Sequence, residues 1–424
     1  MRDLFLRCLT DTDCRLPASI ASFHRTPFSM ALYLVLPDLL LAIVLAFGLQ
    51  LRFRVVFYLL FSYACISGLQ YTTGDKFQDY SAGSTLGGQF FTAMHLLLFA
   101  EPLTEYRHRE DKDDPRGRSL WRRTIWSWRI IHSPRGLGWN YEVCVTLTAC
   151  LVSPIPLTPC YSSQVSNIPP RPLPCSKWTF IRSRVLQIIR FFLLIDLAQS
   201  YIHTNTLFTN PPVNATITSQ GWLLQMISGA AWMSAAYAGM SMNYCIFAII
   251  GVGLGLSKPE NWPDTFGTWK HAYTVRNFWG KFWHQMIRRY VTPIGKFVCR
   301  QLGFKPGTWL SSYTQLYVAF SISAILHCFG DAMVGPAYLG ASFPFFVYQA
   351  CGITFEDIMI HIFKRMGVQG TPRINETIGY IWVAFWMTFS LPWYIDWAVN
   401  AGLGRSEVLP FSPVRYVLRS ALLI

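Results

Sequence analysis

One histidine of this chain, His327, lies inside an apolar run that ends at Asp331. An unpaired imidazole in such a run is costly inside a membrane, so His327 must find a partner. Asp331 follows one helical turn later, and we expect its carboxylate to hold the imidazole in one tautomer. A neutral buried imidazole can accept a proton, as a general base does when it deprotonates an alcohol that attacks a thioester. The alternative is a structural histidine hydrogen-bonded to a neighbouring helix.

A second histidine, His284, closes the motif Asn-Phe-Trp-Gly-Lys-Phe-Trp-His at residues 277–284. The spacing of the surrounding residues predicts an amphipathic helix over 276–290 that lies at the membrane interface. Its apolar face would carry Trp279, Phe282, Trp283, Met286 and Tyr290. Its opposite face would carry Asn277, Lys281, His284 and Arg288. His284 would then point into a polar cleft. The alternative is an interfacial helix with an aromatic belt and no catalytic role.

The composition predicts an all-α protein that crosses a membrane several times. Of the 424 residues, 52% are hydrophobic and only 14% are charged, whereas soluble domains carry roughly 25% charged residues. The formal net charge is +14, and its Lys and Arg residues lie mostly between apolar runs. This pattern fits cytosolic loops better than nucleic-acid binding. The eleven cysteines include no C-x-x-C pair, so we expect neither a metal site nor a disulfide framework.

Eight segments are predicted as membrane spans, since a spanning helix needs about 20 mostly apolar residues. They are residues 28–50, 54–72, 86–101, 186–206, 222–256, 309–330, 337–360 and 377–398. The basic loops 102–185, 257–308 and 361–376 fall on one side in this arrangement, which the positive-inside rule assigns to the cytosol. Loop 207–221, which contains a glycosylation sequon at Asn214, then faces the lumen.

These spans divide the chain into five regions. The regions are a tail at 1–27, spans at 28–101, a loop at 102–185, a catalytic membrane region at 186–398 and a second tail at 399–424. The loop is proline-rich over 151–178 and cannot form one continuous helix there. The catalytic region contains both the motif helix, taken as 275–290, and His327.

The residues around both histidines resemble a known family. The stretch Phe278-Trp-Gly-Lys-Phe-Trp-His-Gln285, with a later Ser-Ala-Ile-Leu-His that ends at His327, is similar to the wax-synthase-like branch of the membrane-bound O-acyltransferases. More narrowly, it resembles the fungal members that acetylate terpenoid and meroterpenoid alcohols. Segments 135–142 and 262–267 are also similar to those fungal proteins. The resemblance is most specific over 260–331.

The resemblance implies transfer of an acetyl group from acetyl-CoA to a hydroxyl of an apolar polycyclic alcohol, in a multi-pass protein of the endoplasmic reticulum. It assigns the general base to His327 and the interfacial Asn-or-His position to His284, while Asp331 is placed beside His327 by its spacing alone. Asn277 would assist at the thioester or the oxyanion. Acetyl-CoA would be a cosubstrate, with no permanently bound cofactor. Asn277 and Phe282 replace the Asp and Arg of plant-type wax synthases, which disfavours a long-chain wax product.

Basic residues beside the motif could attract the CoA phosphates from the cytosol, although membrane topology explains them equally well. They are Lys281, Arg288, Arg289 and Lys296. Two other functions remain open. One is long-chain acyl transfer to a fatty alcohol, and the other is a transporter in which His327 and Asp331 relay protons. The expected partners are the lipid bilayer, acetyl-CoA and the alcohol, and not a nucleic acid.

Overall fold

A computed structural model describes residues 25–141, 169, 172, 175–212, 214–367 and 370–422. The regular secondary structure of these residues is helical, apart from two isolated bridges, which confirms the predicted all-α class. Their helices of ten or more residues are α1 (Leu36–Phe47), α2 (Leu51–Gly68), α3 (Lys76–Met94), α4 (Leu120–Ile131), α5 (Lys177–Thr204), α6 (Trp222–Gly253), α7 (Arg288–Gln301), α8 (Trp309–Val334), α9 (Phe343–Arg365), α10 (Pro372–Ser390), α11 (Pro392–Ala401) and α12 (Pro413–Leu422). The predicted proline-rich segment lies outside the described residues, except for 169, 172 and 175–178.

Five helical stretches of the described chain are long and apolar enough to cross a membrane. They are α2, α5, α6, α8 and the stretch Pro372–Ala401, which joins α10 to α11. Each corresponds to one of the predicted spans at 54–72, 186–206, 222–256, 309–330 and 377–398. Their apolar surfaces remain widely exposed, as expected for helices that face lipid.

The other three predicted spans are not confirmed as spanning helices. They are residues 28–50, 86–101 and 337–360. The first segment forms only the apolar helix Ala31–Phe47, which is short for a bilayer. The second is the end of α3, and the first turn of that helix carries Lys76 and Asp79. The third corresponds to α9, in which Glu356 and Asp357 interrupt the apolar sequence. Apolar runs alone did not reveal these polar helix faces, which pack inside the bundle.

Helices α3 and α8 approach so closely that their backbones meet. A Cβ added to Gly83 of α3 would lie 2.5 Å from the carbonyl oxygen of Phe329. A Cβ added to Gly330 of α8 would lie 2.8 Å from the carbonyl oxygen of Tyr80. Small residues allow membrane helices to pack in this way. The contact brings the start of α3 against the end of α8, where His327 lies.

Replacing Gly83 with alanine is expected to lower the stability of the protein by about 1–3 kcal/mol, because the new methyl group would overlap the backbone of α8. Gly88→Ala is the matched control on the same helix, since a Cβ there would meet nothing within 4 Å. The control should be neutral or slightly stabilising, because alanine favours a helix over glycine. Thermal unfolding of the two variants in detergent measures the difference, and equal midpoints would contradict the tight packing of α3 on α8.

Candidate active site

His327 lies on α8, two turns before the helix ends at Val334. Its Nδ1 is 2.7 Å from the hydroxyl of Tyr80 on α3. That hydroxyl is in turn 2.6 Å from the hydroxyl of Tyr394 on α11. Phe346 of α9 stacks on the imidazole, with ring centroids 4.5 Å apart and planes 13° from parallel. Four helices therefore fix the position and the plane of one imidazole.

The imidazole is not fully closed off by its neighbours. His327, Tyr80 and Tyr394 each keep some accessible surface. Nε2 of His327 has no hydrogen-bond partner in the described part of the chain, and it is not buried from solvent. This nitrogen is therefore accessible to a small molecule.

Asp331 does not hold His327 directly, as its i+4 spacing predicted. Its two carboxylate oxygens instead accept hydrogen bonds from Ser342, at 2.8 Å from the backbone N–H and 2.6 Å from the hydroxyl. The start of a helix leaves backbone N–H groups without partners, and Asp331 satisfies the one just before α9. The carboxylate stays near the site, since its charge acts on the hydroxyls of Tyr80 and Tyr394.

The motif segment does not form the helix predicted over 276–290. A short α-helical turn, Val275–Asn277, leads into a π-helical turn, Phe278–Phe282. The backbone then becomes extended at Trp283, with ψ 153°, before α7 begins. The two faces expected of a continuous helix are therefore absent, and His284 lies in the break itself.

Hydrogen bonds explain why the motif helix stops. The carbonyl of Phe282 accepts the N–H of Gly267 at 2.8 Å, so it cannot serve a continuing helix. The side-chain amide of Gln285 donates to the carbonyls of Trp279 at 3.0 Å and Trp283 at 2.6 Å. These bonds replace helical ones. The donor to the Phe282 carbonyl is Gly267, in a loop about fifteen residues earlier in the chain. The periodicity of the motif sequence therefore could not reveal where the helix breaks.

Helix α9 holds the motif in place. Glu356 accepts the backbone N–H of Val275 at 2.6 Å, where the motif begins. Two turns earlier on α9, Gln349 accepts the indole N–H of Trp279 at 3.2 Å. The same helix carries Phe346, which stacks on the imidazole of α8. One helix thus positions both parts of the candidate site.

His284 is half-buried at the break, and its Nδ1 is buried without a hydrogen-bond partner among the described residues. The edge of Phe266 meets the imidazole at 5.9 Å and 87°. Burial, and secondarily the positive charge of Arg135, lowers the pKa of His284 to about 4. The ring is therefore neutral near pH 7. Trp279 of the motif packs against Phe320 of α8 and Phe345 of α9, so the fold brings the segment that carries His284 next to the helix that carries His327.

Asn277 closes the short α-helical turn and is half-buried. Its backbone N–H donates to the hydroxyl of Thr274 at 3.0 Å, which begins that turn. Within the described ranges, the side chain of Asn277 makes no hydrogen bond to His284 or His327. Its assistance at a thioester or an oxyanion therefore stays a prediction.

Arg289 is placed differently from the prediction that it attracts phosphate. Its side chain is buried and donates to the carbonyls of Ile130 and Ile131 and to the hydroxyl of Thr92. The guanidinium thereby ties α7 to the end of α4 and to α3. A side chain committed to these partners cannot also reach a phosphate, so its predicted binding role is wrong.

The other three basic residues near the motif are more accessible. Arg288 is half-buried and donates to the carbonyl of Gly280 at 3.3 Å, and burial lowers its pKa to about 10. Lys281 lies half-buried within the π-helical turn, and Lys296 is exposed on α7. These residues remain predicted phosphate contacts.

The sequence did not identify Tyr80 and Tyr394 as site residues. Tyr80 precedes the predicted span that became the end of α3, and Tyr394 stands in an aromatic segment after Pro392. The chain contains 20 tyrosines, and no spacing distinguishes these two from the others. Only the packing of α3 and α11 against α8 brings them to His327.

The position of Arg135 near the candidate site also became apparent only from the fold. It is buried in the loop after α4, where it donates to the hydroxyl of Tyr244 at 2.5 Å and to the carbonyl of Asp264 at 2.6 Å. Its segment supported the family resemblance, but nothing in the sequence placed its charge beside His284. That charge helps to keep His284 neutral.

The arrangement suits proton transfer at one end of the site and charge stabilisation at the other. Nε2 of His327 can take a proton from a hydroxyl placed beside it. A neutral His284 can donate a hydrogen bond to an oxygen on which negative charge develops. Among the residues described, no group of three His, Cys, Asp or Glu side chains could hold a metal ion.

Comparison with known proteins agrees with this chemistry. The model of the membrane bound O-acyl transferase family matches residues 262–348, which contain both histidines. A model described as the C-terminal domain of aspirochlorine biosynthesis protein F matches residues 176–253. No solved structure shows a significant match.

Several curated fungal proteins are similar to most of the chain. Acetyltransferase eriL of Hericium erinaceus is 30% identical over 347 residues, which cover 80% of this chain and 83% of that protein. Acetyltransferase ple2 of Rhodocybe pseudopiperita is 29% identical over 339 residues, with 80% and 82% covered. Acetyltransferase pyr8 of Aspergillus fumigatus is 29% identical over 314 residues, with 70% and 69% covered.

The helical bundle, the two histidines and these similarities show that the chain belongs to the membrane-bound O-acyltransferase family. It is an integral, multi-pass acyltransferase of the acetyltransferase type, related to enzymes of fungal secondary metabolism.

Proposed function

We propose that this enzyme transfers an acetyl group from acetyl-CoA to a hydroxyl of a terpenoid or meroterpenoid intermediate. The observation that carries the proposal is Nε2 of His327, which is accessible and has no hydrogen-bond partner in the described chain, while the motif segment packed on the same helices carries the neutral imidazole of His284. The relatives that cover most of the chain are named as acetyltransferases, and this favours a two-carbon acyl group.

The proposed reaction needs no acyl-enzyme. The acceptor hydroxyl oxygen attacks the thioester carbonyl carbon while Nε2 of His327 removes the hydroxyl proton. His284, with Asn277 as a predicted helper, donates to the oxyanion that forms. Collapse of the intermediate breaks the carbon–sulfur bond, and the proton held by His327 passes to the departing CoA sulfur. The products are an acetate ester and free CoA, and the imidazole returns neutral.

The surroundings of His327 support an apolar acceptor. Aromatic side chains surround the imidazole, since Phe346 and Tyr80 flank it and Tyr394 stands edge-on at 6.2 Å. Phe345 packs in turn on Tyr394, with centroids 5.1 Å apart. Such walls favour a large hydrocarbon framework that carries few polar groups.

The donor is proposed to enter from the cytosol, on the side of the basic motif. Lys281, Arg288 and Lys296 would attract its phosphates, while His327 lies two turns from the far end of α8. The thioester must therefore reach toward that end of α8. We place the enzyme in the endoplasmic reticulum, with the basic loops in the cytosol.

The variant Arg289→Gln tests whether Arg289 has a structural role and does not bind the phosphates of acetyl-CoA. The change leaves buried carbonyls of α4 without a donor, so we expect a loss of about 1–3 kcal/mol in stability and an unchanged KM for acetyl-CoA. Lys296→Gln, on the exposed face of α7, is the control and should leave the unfolding midpoint unchanged. A raised KM for acetyl-CoA with normal stability in Arg289→Gln would restore the phosphate role.

Membranes from yeast that express the chain provide the test of function. They are supplied with acetyl-CoA or palmitoyl-CoA, and with a polycyclic terpenoid alcohol or a fatty alcohol. We expect free CoA and an acetate ester with acetyl-CoA and the terpenoid alcohol. Esters formed mainly from palmitoyl-CoA and the fatty alcohol would favour a wax-ester enzyme. Absence of CoA release with every pair would favour the proton-coupled transporter.

A further inference from the structure

We propose that Tyr80 is a positioning residue that keeps a proton on Nδ1 of His327, and that Tyr394 keeps Tyr80 in this role. The inference rests on the proposed function, because it concerns the state that His327 needs as a base. It replaces Asp331, which the sequence placed beside the imidazole, with two phenols contributed by other helices.

The proposed role of His327 as a base sets the direction of the two short hydrogen bonds. His327 can take a proton on Nε2 only if its neutral form carries its proton on Nδ1. Nδ1–H must then donate to the Tyr80 oxygen across 2.7 Å. The Tyr80 hydroxyl proton is thereby turned away from the imidazole, and the Tyr394 oxygen at 2.6 Å accepts it. The chain runs from His327 through Tyr80 to Tyr394.

No carboxylate takes the place of Tyr80 in the described part of the chain. Both oxygens of Asp331 accept hydrogen bonds from Ser342, so this carboxylate cannot accept Nδ1–H without breaking the start of α9. Asp331 therefore supports the site by holding the start of α9, the helix that carries Phe346.

The packing shows that the fold positions the Tyr80 hydroxyl and not only its ring. Tyr80 is brought to His327 by the contact of Gly330 with its backbone. Phe346 stacks on the imidazole, which hinders rotation of the ring away from the Tyr80 hydroxyl. The proton stays on Nδ1 throughout the reaction, and only the proton on Nε2 is gained and lost.

Two phenylalanine variants test the inference. Tyr80→Phe keeps the ring but removes the acceptor for Nδ1–H, so the proton distributes between the two nitrogens. Tyr394→Phe frees the Tyr80 hydroxyl to donate to Nδ1, which puts the proton on Nε2 and blocks the base. We expect each variant to lower kcat about tenfold with an unchanged KM for acetyl-CoA. The kcat of the double variant should be about equal to that of the slower single variant, because both substitutions act on the protonation of the same nitrogen, Nδ1 of His327.

Tyr106→Phe is the matched control. Tyr106 is also buried, and its hydroxyl is 2.8 Å from Nε2 of His95, but this pair lies outside the proposed site. The Tyr106→Phe control should lose about as much stability as Tyr80→Phe does. Its kcat should stay within about twofold of the wild-type value, which corresponds to a change in activation free energy of less than 0.5 kcal/mol. The residual kcat of Tyr80→Phe should not recover when the assay temperature is lowered, as it would if the variant merely unfolded.

The outcomes separate this inference from the proposed function. Normal kcat in Tyr80→Phe, in membranes where the wild type forms the ester and His327→Ala does not, overturns the role of Tyr80 alone. An equal loss in Tyr106→Phe, or multiplied losses in the double variant, indicates general packing and also overturns it. A wild-type protein that forms no ester contradicts the proposed function itself.

Discussion

Replacing His327 with alanine is expected to abolish acetyl transfer while the protein still accumulates in membranes. Loss of a general base typically costs 10²–10⁴-fold, and the proposed mechanism assigns that role to the unpartnered Nε2 of His327. We therefore expect a fall in kcat of about 10³-fold or more. Ester formation in washed membranes, normalised to the amount of folded protein, measures it.

His203→Ala is the control for the His327 variant. His203 is a second largely buried histidine of the helix bundle, but it contacts Glu407 and Arg415 near the C-terminus. Its removal should leave kcat close to the wild-type value. Full turnover by His327→Ala would remove this imidazole from the mechanism, and a similar loss in both variants would point to general disruption of the bundle.

Replacing His284 with alanine is expected to lower kcat by about 10²-fold, the loss typical of one oxyanion-hole donor. The reason is that the neutral imidazole keeps some accessible surface at the break of the motif, so that Nε2–H can donate to a substrate oxygen while Nδ1 stays buried. His284→Asn supplies an amide N–H in place of the imidazole and should recover part of the loss. A wild-type rate in the alanine variant would leave His284 as an aromatic residue of the interface.

His284 is also expected to make the stability of the protein depend on pH. Folding lowers the pKa of His284 to about 4 from about 6.5 in an unfolded chain. Between these values the unfolded chain binds more protons, so the contribution of His284 to stability falls as the pH falls from about 6.5 to 4. His284→Ala should therefore lose less stability than the wild type between pH 7 and pH 5. Unfolding midpoints in detergent at the two pH values provide the measurement.

The sequence identified the chemistry better than the geometry. A histidine in an apolar run and an aromatic motif ending in His284 were enough to predict an acyltransferase, because polar groups at such depth are rarely accidental. The same reasoning gave Asp331 the wrong partner. Helical spacing shows which residues are neighbours on one helix, whereas the imidazole is held by α3, α9 and α11.

The motif shows a second limit of sequence reasoning. Periodicity over 276–290 predicted one amphipathic helix, but the side chain of Gln285 and the backbone of Gly267 take the hydrogen bonds of its middle turn. The prediction that Arg289 binds phosphate failed for the same reason, because the charge of the segment could not show that α4 and α3 would bury this side chain. Such long-range partners exist only after the fold has formed.

The glycine contact between α3 and α8 also constrains how the enzyme is assembled. Tyr80 and His327 are 247 residues apart in the chain, and α3 is not among the helices apolar enough to cross a bilayer alone. Tyr80 and Gly83 of α3 therefore gain their partners only after α8 has been synthesised. The candidate site is thus completed late in the synthesis of the chain.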